Sequence, residues 1–297
     1  MREVRWERMF PDELEAAFAA CPVVYFPYGL CEPHGPQNAI GLDALKAHAI
    51  ACVAARTYGG IVAPADFWHI HEMGGSSSWG HSAIGPVERA WLTCIPPWVH
   101  FKSICYHIRQ ADHLGFHGAI FLTGHYGPNW LDLKTLIDLV QPHVAVRLFG
   151  LPDFEANKPG FDGDGAGGDH AGKVETSLLW AALPECIDVS RIPPEGTPGH
   201  HWAMGPTARI ASRRIGERMV ADEARWLGEK AKELLAAYDR ENPTKRLRTF
   251  EEVEVLWDTV VRPRFKEFHS MQQLWGNQQP APEGSVWSIN AKVPDRS

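Results

Sequence analysis

Residues 21–58 read CPVVYFPYGLCEPHGPQNAIGLDALKAHAIACVAARTY, and this stretch shows how the fold is organised. It begins with a short apolar run, continues through a loop rich in Gly and Pro, and ends in a segment with helical spacing of apolar residues. A buried strand, a loop and a helix in this order form the repeating unit of α/β proteins. The loop also contains Glu32, His34 and Asp43, and a loop that only turned the chain would need none of these ionisable residues.

The same alternation of strand and helix continues along the chain. Short apolar runs bounded by Gly or Pro, as buried parallel strands are, occupy residues 21–26, 59–65, 118–124 and 144–150. Segments with helical spacing occupy residues 42–58, 97–115, 130–141, 174–185 and 205–240. The pattern predicts an α/β fold with a mostly parallel central sheet.

The composition is that of a soluble globular protein. The chain has 297 residues, of which 44% are hydrophobic and 22% charged, and its net charge is −7. This charge provides no broad basic surface for nucleic acid, and no apolar run reaches the roughly 18 residues that a membrane span needs. No apolar segment typical of a signal peptide occurs near the N-terminus, so we expect a cytoplasmic protein. The six cysteines have irregular spacing and are interpreted as reduced thiols.

One domain with a C-terminal extension is the simplest division of the chain. Residues 1–241 contain the alternating pattern and are predicted to form a single α/β domain. Residues 242–297 contain an amphipathic stretch and a tail rich in Pro, Gln and Gly. We expect this helical and Pro-rich extension to pack on the domain or on a neighbouring subunit, because Trp275 and Trp287 have little reason to occur in a free tail.

Ionisable residues follow the predicted strands or begin the predicted helices at several places. They are Glu32, His34, Asp43, His125, His170 and Glu175. Ligands of open α/β sheets gather outside the carboxyl ends of the strands, so these side chains lie where a site is expected. Imidazole and carboxylate without thiolate suit zinc, manganese or iron(II), and several carboxylates allow two ions bridged by one of them.

Each of these residues also has a purely structural interpretation. Asp43 could cap the first turn of a helix, and Glu175 could complement the dipole of the helix that it begins. His125 could be an ordinary loop histidine. From spacing alone the metal site and these structural roles remain open alternatives.

A second segment, residues 65–86, is rich in Trp, His and Ser and follows the second predicted strand. We expect it to form the wall of a substrate pocket. The side chains expected to contribute are Trp68, His69, His71, Trp79 and His81. A glycine-rich surface loop without contact to substrate is the alternative.

Three motifs resemble the signature segments of the creatininase (creatinine amidohydrolase) family. They are PYGLCEPHGPQNAIGLD at residues 27–43, TGHYGPN at residues 123–129 and GDHAGKVETS at residues 168–177. The resemblance covers roughly residues 20–220. It implies a three-layer α/β/α sandwich, a centre of two divalent ions per subunit (Zn, Mn or Fe) and a homo-oligomer, often a hexamer.

The resemblance also implies a role for each ionisable residue of the motifs. Glu32 and His125 would hold one ion, and His34 would hold the other. Asp43 would bridge the two ions. His170 would act as the catalytic acid or base. Glu175 would complete the second ion's ligands and belongs with His170 among the catalytic residues.

Two departures from the family pattern concern the substrate. Creatinine-cleaving members carry a Glu ligand where this chain has Gly127, so that duty would fall on Glu175. Those members also stack creatinine on tryptophan from the loop before the HAG segment, whereas residues 161–168 contain no Trp. Creatinine itself is therefore a doubtful substrate.

The function predicted from these features is hydrolysis of a C–N (amide) bond by a water molecule that two metal ions activate. We expect a small, polar and cyclic substrate. One alternative is a hydrolase of a C–C or ester-like bond in a cyclic ketone derived from a polyol. Another is a non-catalytic metal-binding or scaffold protein of the same fold, and a nucleophilic hydrolase using Cys31 is a third.

Overall fold

The computed structural model describes residues 2–71, 75–127, 129–156, 169–271 and 281–288. The strands within these ranges are β1 (Val23–Tyr28), β2 (Ile61–Val62), β3 (Gly118–Thr123) and β4 (Arg147–Pro152). The first helices are α1 (Pro11–Ala20), α2 (Leu42–Tyr58), α3 (Gly75–Ala83) and α4 (Pro97–Leu114). They are followed by α5 (Asn129–Val140), α6 (Lys173–Ala182), α7 (Arg213–Glu241) and α8 (Phe250–Leu256).

The strands form one parallel sheet in the order β2-β1-β3-β4. Val24 of β1 pairs with Ile61 of β2 on one side and with Ala119 of β3 on the other. At least one helix lies between each strand and the next along the chain, as a parallel crossover requires. The carboxyl ends of β1, β3 and β4 therefore lie at the same edge of the sheet.

The side chains of the sheet alternate between two hydrophobic cores. Val24 and Phe26 point towards a core that includes residues of α4 and α5. Val23 and Tyr25 point to the opposite face, where α2 and α7 pack. Helices thus cover both faces of the sheet, which confirms the predicted three-layer α/β/α fold. No helix in the described ranges is long and apolar enough to cross a membrane.

Several element boundaries differ from the sequence prediction, and two of these differences have identifiable reasons. β4 begins at Arg147 rather than at residue 144, because the backbone N–H groups of Ala145 and Val146 donate to the buried carboxylate of Asp112 instead of to the sheet. The long helix α7 begins at Arg213 rather than at residue 205. Its first turn is capped by the Ser212 hydroxyl, which accepts the N–H of Ile215.

The C-terminal segment, residues 247–271, packs against the α4 and α5 side of the sandwich. Its buried members of that core are Leu247, Val253, Leu256, Trp257, Val261, Phe265 and Phe268. The Asp132 carboxylate of α5 accepts the backbone N–H groups of His269 and Ser270, both at 2.6 Å. Further along, Trp287 is fully buried and donates from Nε1 to the Gly85 carbonyl. Trp275 lies outside the described residues, and the division of the chain at residue 241 stays a prediction.

Candidate metal centre

The loops at the carboxyl edge of the sheet bring the six predicted ionisable residues together. Those residues are Glu32, His34, Asp43, His125, His170 and Glu175. The loop after β1 supplies the first two, the first turn of α2 supplies the third, and the loop after β3 supplies the fourth. The last two come from the turn before α6 and from its first turn. All except His170 are buried, with at most 7% of the residue exposed.

Two glycines allow the first turn of α2 to approach the ends of the strands. A Cβ on Gly124 would lie 2.2 Å from the Asp43 carbonyl oxygen, and one on Gly29 would lie 2.3 Å from the Ala44 nitrogen. Both distances are too short for any other residue to fit without displacing the backbone. Asp43 therefore reaches the centre because the loops after β1 and β3 each carry a glycine at this contact.

Two donor groups of potential metal ligands share Asp43, and a third, overlapping group consists of Glu32, His34 and His170. In the first group, His125 Nδ1 lies 3.0 Å from Glu32 Oε1 and 3.2 Å from Asp43 Oδ2. In the second group, His34 Nε2 lies 3.2 Å from Asp43 Oδ1 and 3.6 Å from Glu175 Oε2. The potential ligand atoms within each group lie no more than 4.8 Å apart. One oxygen of Asp43 faces each group, as a carboxylate bridging two ions would.

The hydrogen bonds of His34 suit a metal ion in the second group. Its Nδ1 lies 2.9 Å from the Glu32 carbonyl oxygen, which can only accept, so Nδ1 carries a proton and, in the neutral ring, Nε2 is the nitrogen with the lone pair. Within the described part of the chain, neither His34 Nε2 nor Asp43 Oδ1 has a hydrogen bond of acceptable geometry, although both atoms are buried. A buried polar atom without a partner raises the free energy of the folded state unless an ion or another group binds it. Imidazole nitrogen and carboxylate oxygen together fit a divalent ion such as zinc, manganese or iron(II).

The buried carboxylates of the site strongly favour positive charge next to them. Burial alone would lower the pKa of His34, but Asp43 and Glu175 outweigh burial and raise this pKa to about 9. The pKa of His125 is raised to about 10 in the same way, by Glu32 and Asp43. Divalent ions would supply this positive charge in place of protons on the two imidazoles.

His170 lies at the open side of the centre. Its Nε2 donates to the Pro33 carbonyl at 2.9 Å, while its Nδ1 faces Glu32 Oε1 at 3.9 Å. The ring stacks on that of His34 with 4.2 Å between centroids, and 25% of the side chain is exposed. Burial lowers the pKa of His170, which favours the neutral ring. With Nε2 carrying the proton, the lone pair of Nδ1 is directed at the donor groups.

Sequence reasoning missed a buried cation behind Glu175. Lys46 Nζ lies 2.7 Å from Glu175 Oε1, 2.7 Å from the Tyr126 hydroxyl and 3.4 Å from Asp153 Oδ2. Burial would lower the pKa of Lys46, but Asp153 and Glu175 raise it above the usual value. Burial raises the pKa of Asp153 to about 6. The available sequence signal was the spacing, because Lys46 follows Asp43 by three residues and shares its face of the predicted helix.

The residues predicted to form a substrate wall divide into two sets. Three of them lie next to the potential metal ligands. His71 Nε2 is 2.8 Å from Glu32 Oε2, and the Trp79 ring is 4.7 Å from the His170 ring. The His69 ring is 5.3 Å from the His125 ring. Two lie less deeply: Trp68 is 53% exposed, and His81 is half-buried near the end of α3. Their contact with substrate stays a prediction. Residues 161–168, which lack Trp, lie outside the described residues.

Solved structures with the same fold include a manganese creatininase, which is 22% identical and has a TM-score of 0.62; the match covers 78% of this chain and 98% of that one. A mutant creatininase of Zn-Zn type matches with 21% identity, the same coverage and the same TM-score. A putative creatinine amidohydrolase from Bacteroides fragilis NCTC 9343 is 20% identical, with a TM-score of 0.61 and coverage of 79% and 97%.

No curated protein matches the chain significantly in sequence. At identities near 20% the structural matches establish the fold alone. Over residues 7–238, however, the sequence matches the family described as Creatininase: Creatinine amidohydrolase. This match spans most of the chain and all the residues of the two donor groups, in agreement with the resemblance of the three motifs. The chain therefore belongs to the creatininase (creatinine amidohydrolase) family.

Proposed function

We propose that this protein is an amidohydrolase in which two divalent ions share the Asp43 carboxylate. The broad class, a metal-dependent hydrolase of non-peptide C–N bonds, follows from family membership. The observation that carries the proposal of two ions is the pair of donor groups that meet at Asp43. Glu32 and His125 would hold one ion, and His34 and Glu175 the other. Zinc, manganese and iron(II) all suit these donors.

The chain's own residues would bind the substrate and move the proton. When bound, the ions supply an acidified water molecule and polarise the carbonyl of the substrate. His170 stands beside the donor groups with Nδ1 towards them and with Nε2 fixed by the Pro33 carbonyl. It would take a proton at Nδ1 from the attacking water, whose oxygen bonds to the carbonyl carbon, and deliver that proton to the leaving nitrogen as the C–N bond breaks. Trp79, whose ring lies against His170, would form one wall for the substrate.

The test of this role is His170→Ala, with the exposed histidine of α4 changed in His113→Ala as the matched control. General acid–base catalysis contributes roughly 10²–10⁴-fold, so turnover should fall by that factor while the metal content is retained. His113→Ala should match the wild type in both measurements. An unchanged rate for His170→Ala would remove this residue from the mechanism.

The substrate class follows from the family and from the character of the site. We propose a small, polar and cyclic amide, and a panel of lactams and other cyclic amides, with creatinine included, is the direct assay. Family membership does not favour the cyclic ketone, the scaffold or the Cys31 alternatives. If the protein hydrolysed a cyclic ketone and no amide, the proposed C–N reaction would be wrong and the cyclic-ketone alternative would replace it.

We further propose a cytoplasmic homo-oligomer, with a hexamer as the first arrangement to test. The acidic net charge supports the absence of nucleic acid among its partners. Sedimentation velocity of the purified protein would measure the assembly directly. A single species with the mass of one chain would contradict the oligomer.

A further inference from the structure

The ammonium of Lys46 is fully buried, at 0% exposure, beside one member of the second donor group. Its contacts are the Glu175 carboxylate and the Tyr126 hydroxyl, each at 2.7 Å, and Asp153 at 3.4 Å. Burying a lysine is expensive unless carboxylates and hydrogen bonds compensate for the lost water. A buried lysine at this position is therefore expected to contribute either to the stability of the fold or to the neighbouring metal centre.

The two oxygens of Glu175 have different partners. Oε1 is bound by Lys46, whereas Oε2 accepts the N–H of Ala171 at 2.7 Å and lies 3.6 Å from His34 Nε2. The Ala171 backbone is left-handed, with φ at 52°. Contacts on both oxygens fix the plane of the carboxylate, and only Oε2 is directed towards the centre.

Fixing Glu175 matters because the neighbouring loop offers no substitute. Gly127, in the loop after His125, has no side chain that could act as a ligand. Among the described residues, the second donor group consists of His34, Asp43 and Glu175. If the Glu175 carboxylate turned away, this group would keep His34 and Asp43, and the other carboxylate near His34 Nε2, Glu32 Oε1 at 3.5 Å, already belongs to the first group.

We propose that Lys46 is a positioning residue that holds Glu175 in place as a single-oxygen ligand of the second ion. This inference rests on the proposed two-ion function. It assigns Lys46 an effect on one ion and not on the other, because its contacts reach Glu175 and not Glu32 or His125. Outer partners of metal ligands typically change affinity by roughly 10–100-fold.

A purely electrostatic role for Lys46 predicts the opposite sign. A positive charge close to the second ion repels it, so removal of the charge alone would strengthen binding. A purely structural role predicts lower stability with the two ions affected equally. Measuring the affinity of each ion separately therefore distinguishes positioning from both.

The experiment is titration of metal-free protein with Zn²⁺ against a chromophoric chelator, which gives an affinity for each binding step. The main variant is the double substitution K46M/D153N, which removes the ammonium without leaving Asp153 as an unpaired buried charge. K46Q/D153N repeats the test with a shorter polar side chain. K102M/E254Q is the matched control, since it neutralises a half-exposed lysine–glutamate pair between α4 and α8. Glu175→Gln identifies which step belongs to the second group.

We expect the step that is sensitive to Glu175 to weaken roughly 10–100-fold in both Lys46 variants. The other step should change by less than about threefold, and the control should match the wild type. Unchanged or tighter binding at the Glu175-sensitive step would overturn the proposal, as would equal weakening of both steps. Failure of both variants to fold, judged by circular dichroism with Zn²⁺ present, would assign Lys46 to the fold and would also overturn it.

The wild-type titration separates this inference from the proposed function. If the wild type binds fewer than two ions per chain, the two-ion function fails. If it binds two and the Lys46 variants behave as the control does, only the positioning role fails.

Discussion

Replacement of Asp43 by Asn removes the carboxylate whose two oxygens face different donor groups. Oδ1 lies 3.2 Å from His34 and Oδ2 lies 3.2 Å from His125, so one substitution disturbs both groups. Asn has nearly the same shape, and the tight contact with Gly124 is made by the backbone of residue 43 and not by its side chain. The fold should therefore survive while both ions lose a charged ligand.

The size of the effect can be estimated from binding linkage. An ion present at 100 times its Kd stabilises the folded state by about 2.7 kcal/mol, so two independent ions contribute about 5 kcal/mol. With an entropy of unfolding of about 2.1 cal/mol/K per residue, each kcal/mol shifts the Tm of a chain of 297 residues by roughly 1.6 °C. Adding a chelator should thus lower the wild-type Tm by roughly 8 °C, and the Asp43→Asn Tm by a few degrees at most.

The assay combines differential scanning calorimetry, with and without chelator, and elemental mass spectrometry of the purified protein. Asp188→Asn is the control, because Asp188 is exposed and pairs with Arg191 at the surface. The control should retain two ions per chain and the full effect of the chelator. Two ions retained by Asp43→Asn, or an equal chelator effect on the variant and the wild type, would refute the shared-carboxylate reasoning.

Three further substitutions test other contacts of the structure. Trp79→Leu removes the ring that lies against His170. Steady-state kinetics should then show a KM raised by up to roughly tenfold, with metal content unchanged. An unchanged KM would exclude Trp79 from the substrate wall. His71→Leu removes the contact with Glu32 Oε2. Titration should then show that the affinity for the ion that does not depend on Glu175 falls roughly 10–100-fold. An unchanged affinity would argue against a role for this contact in binding that ion. Asp132→Ala leaves two backbone N–H donors of the C-terminal segment without their acceptor. Urea unfolding should show that the free energy of unfolding falls by about 2–5 kcal/mol. A decrease below about 1 kcal/mol would contradict the described packing of this segment.

The sequence was sufficient for those parts of the structure that depend on local pattern. β1 and β3 were predictable because each is a short apolar run bounded by a turn, and the positions of Glu32 and His125 followed from those runs. The order of strands β2-β1-β3-β4 was not specified by the pattern, because pairing depends on how the helices pack on both faces.

The contacts that sequence reasoning missed join residues far apart in the chain. Lys46 and Glu175 are 129 residues apart, and the spacing within α2 gave no information about what faced that helix. The sequence predicted His71 in the wall of a substrate pocket, but its direct contact with Glu32 depends on the path of the chain between β2 and α3. The late start of β4 at Arg147 had the same origin, since the competing acceptor, Asp112, belongs to another helix.

The packing of residues 247–271 sets a lower limit on the length of chain that can fold. The family match ends at residue 238, yet Trp257, Phe265 and Phe268 beyond it belong to the same core as Phe26 of β1. A fragment ending at Glu241 would contain every residue of the two donor groups and would still expose an apolar face of α4 and α5 to water. Burial of such surface contributes roughly 25 cal/mol per Å². We therefore expect the fragment to aggregate, so that the smallest working unit of this protein is longer than the segment it shares with its family.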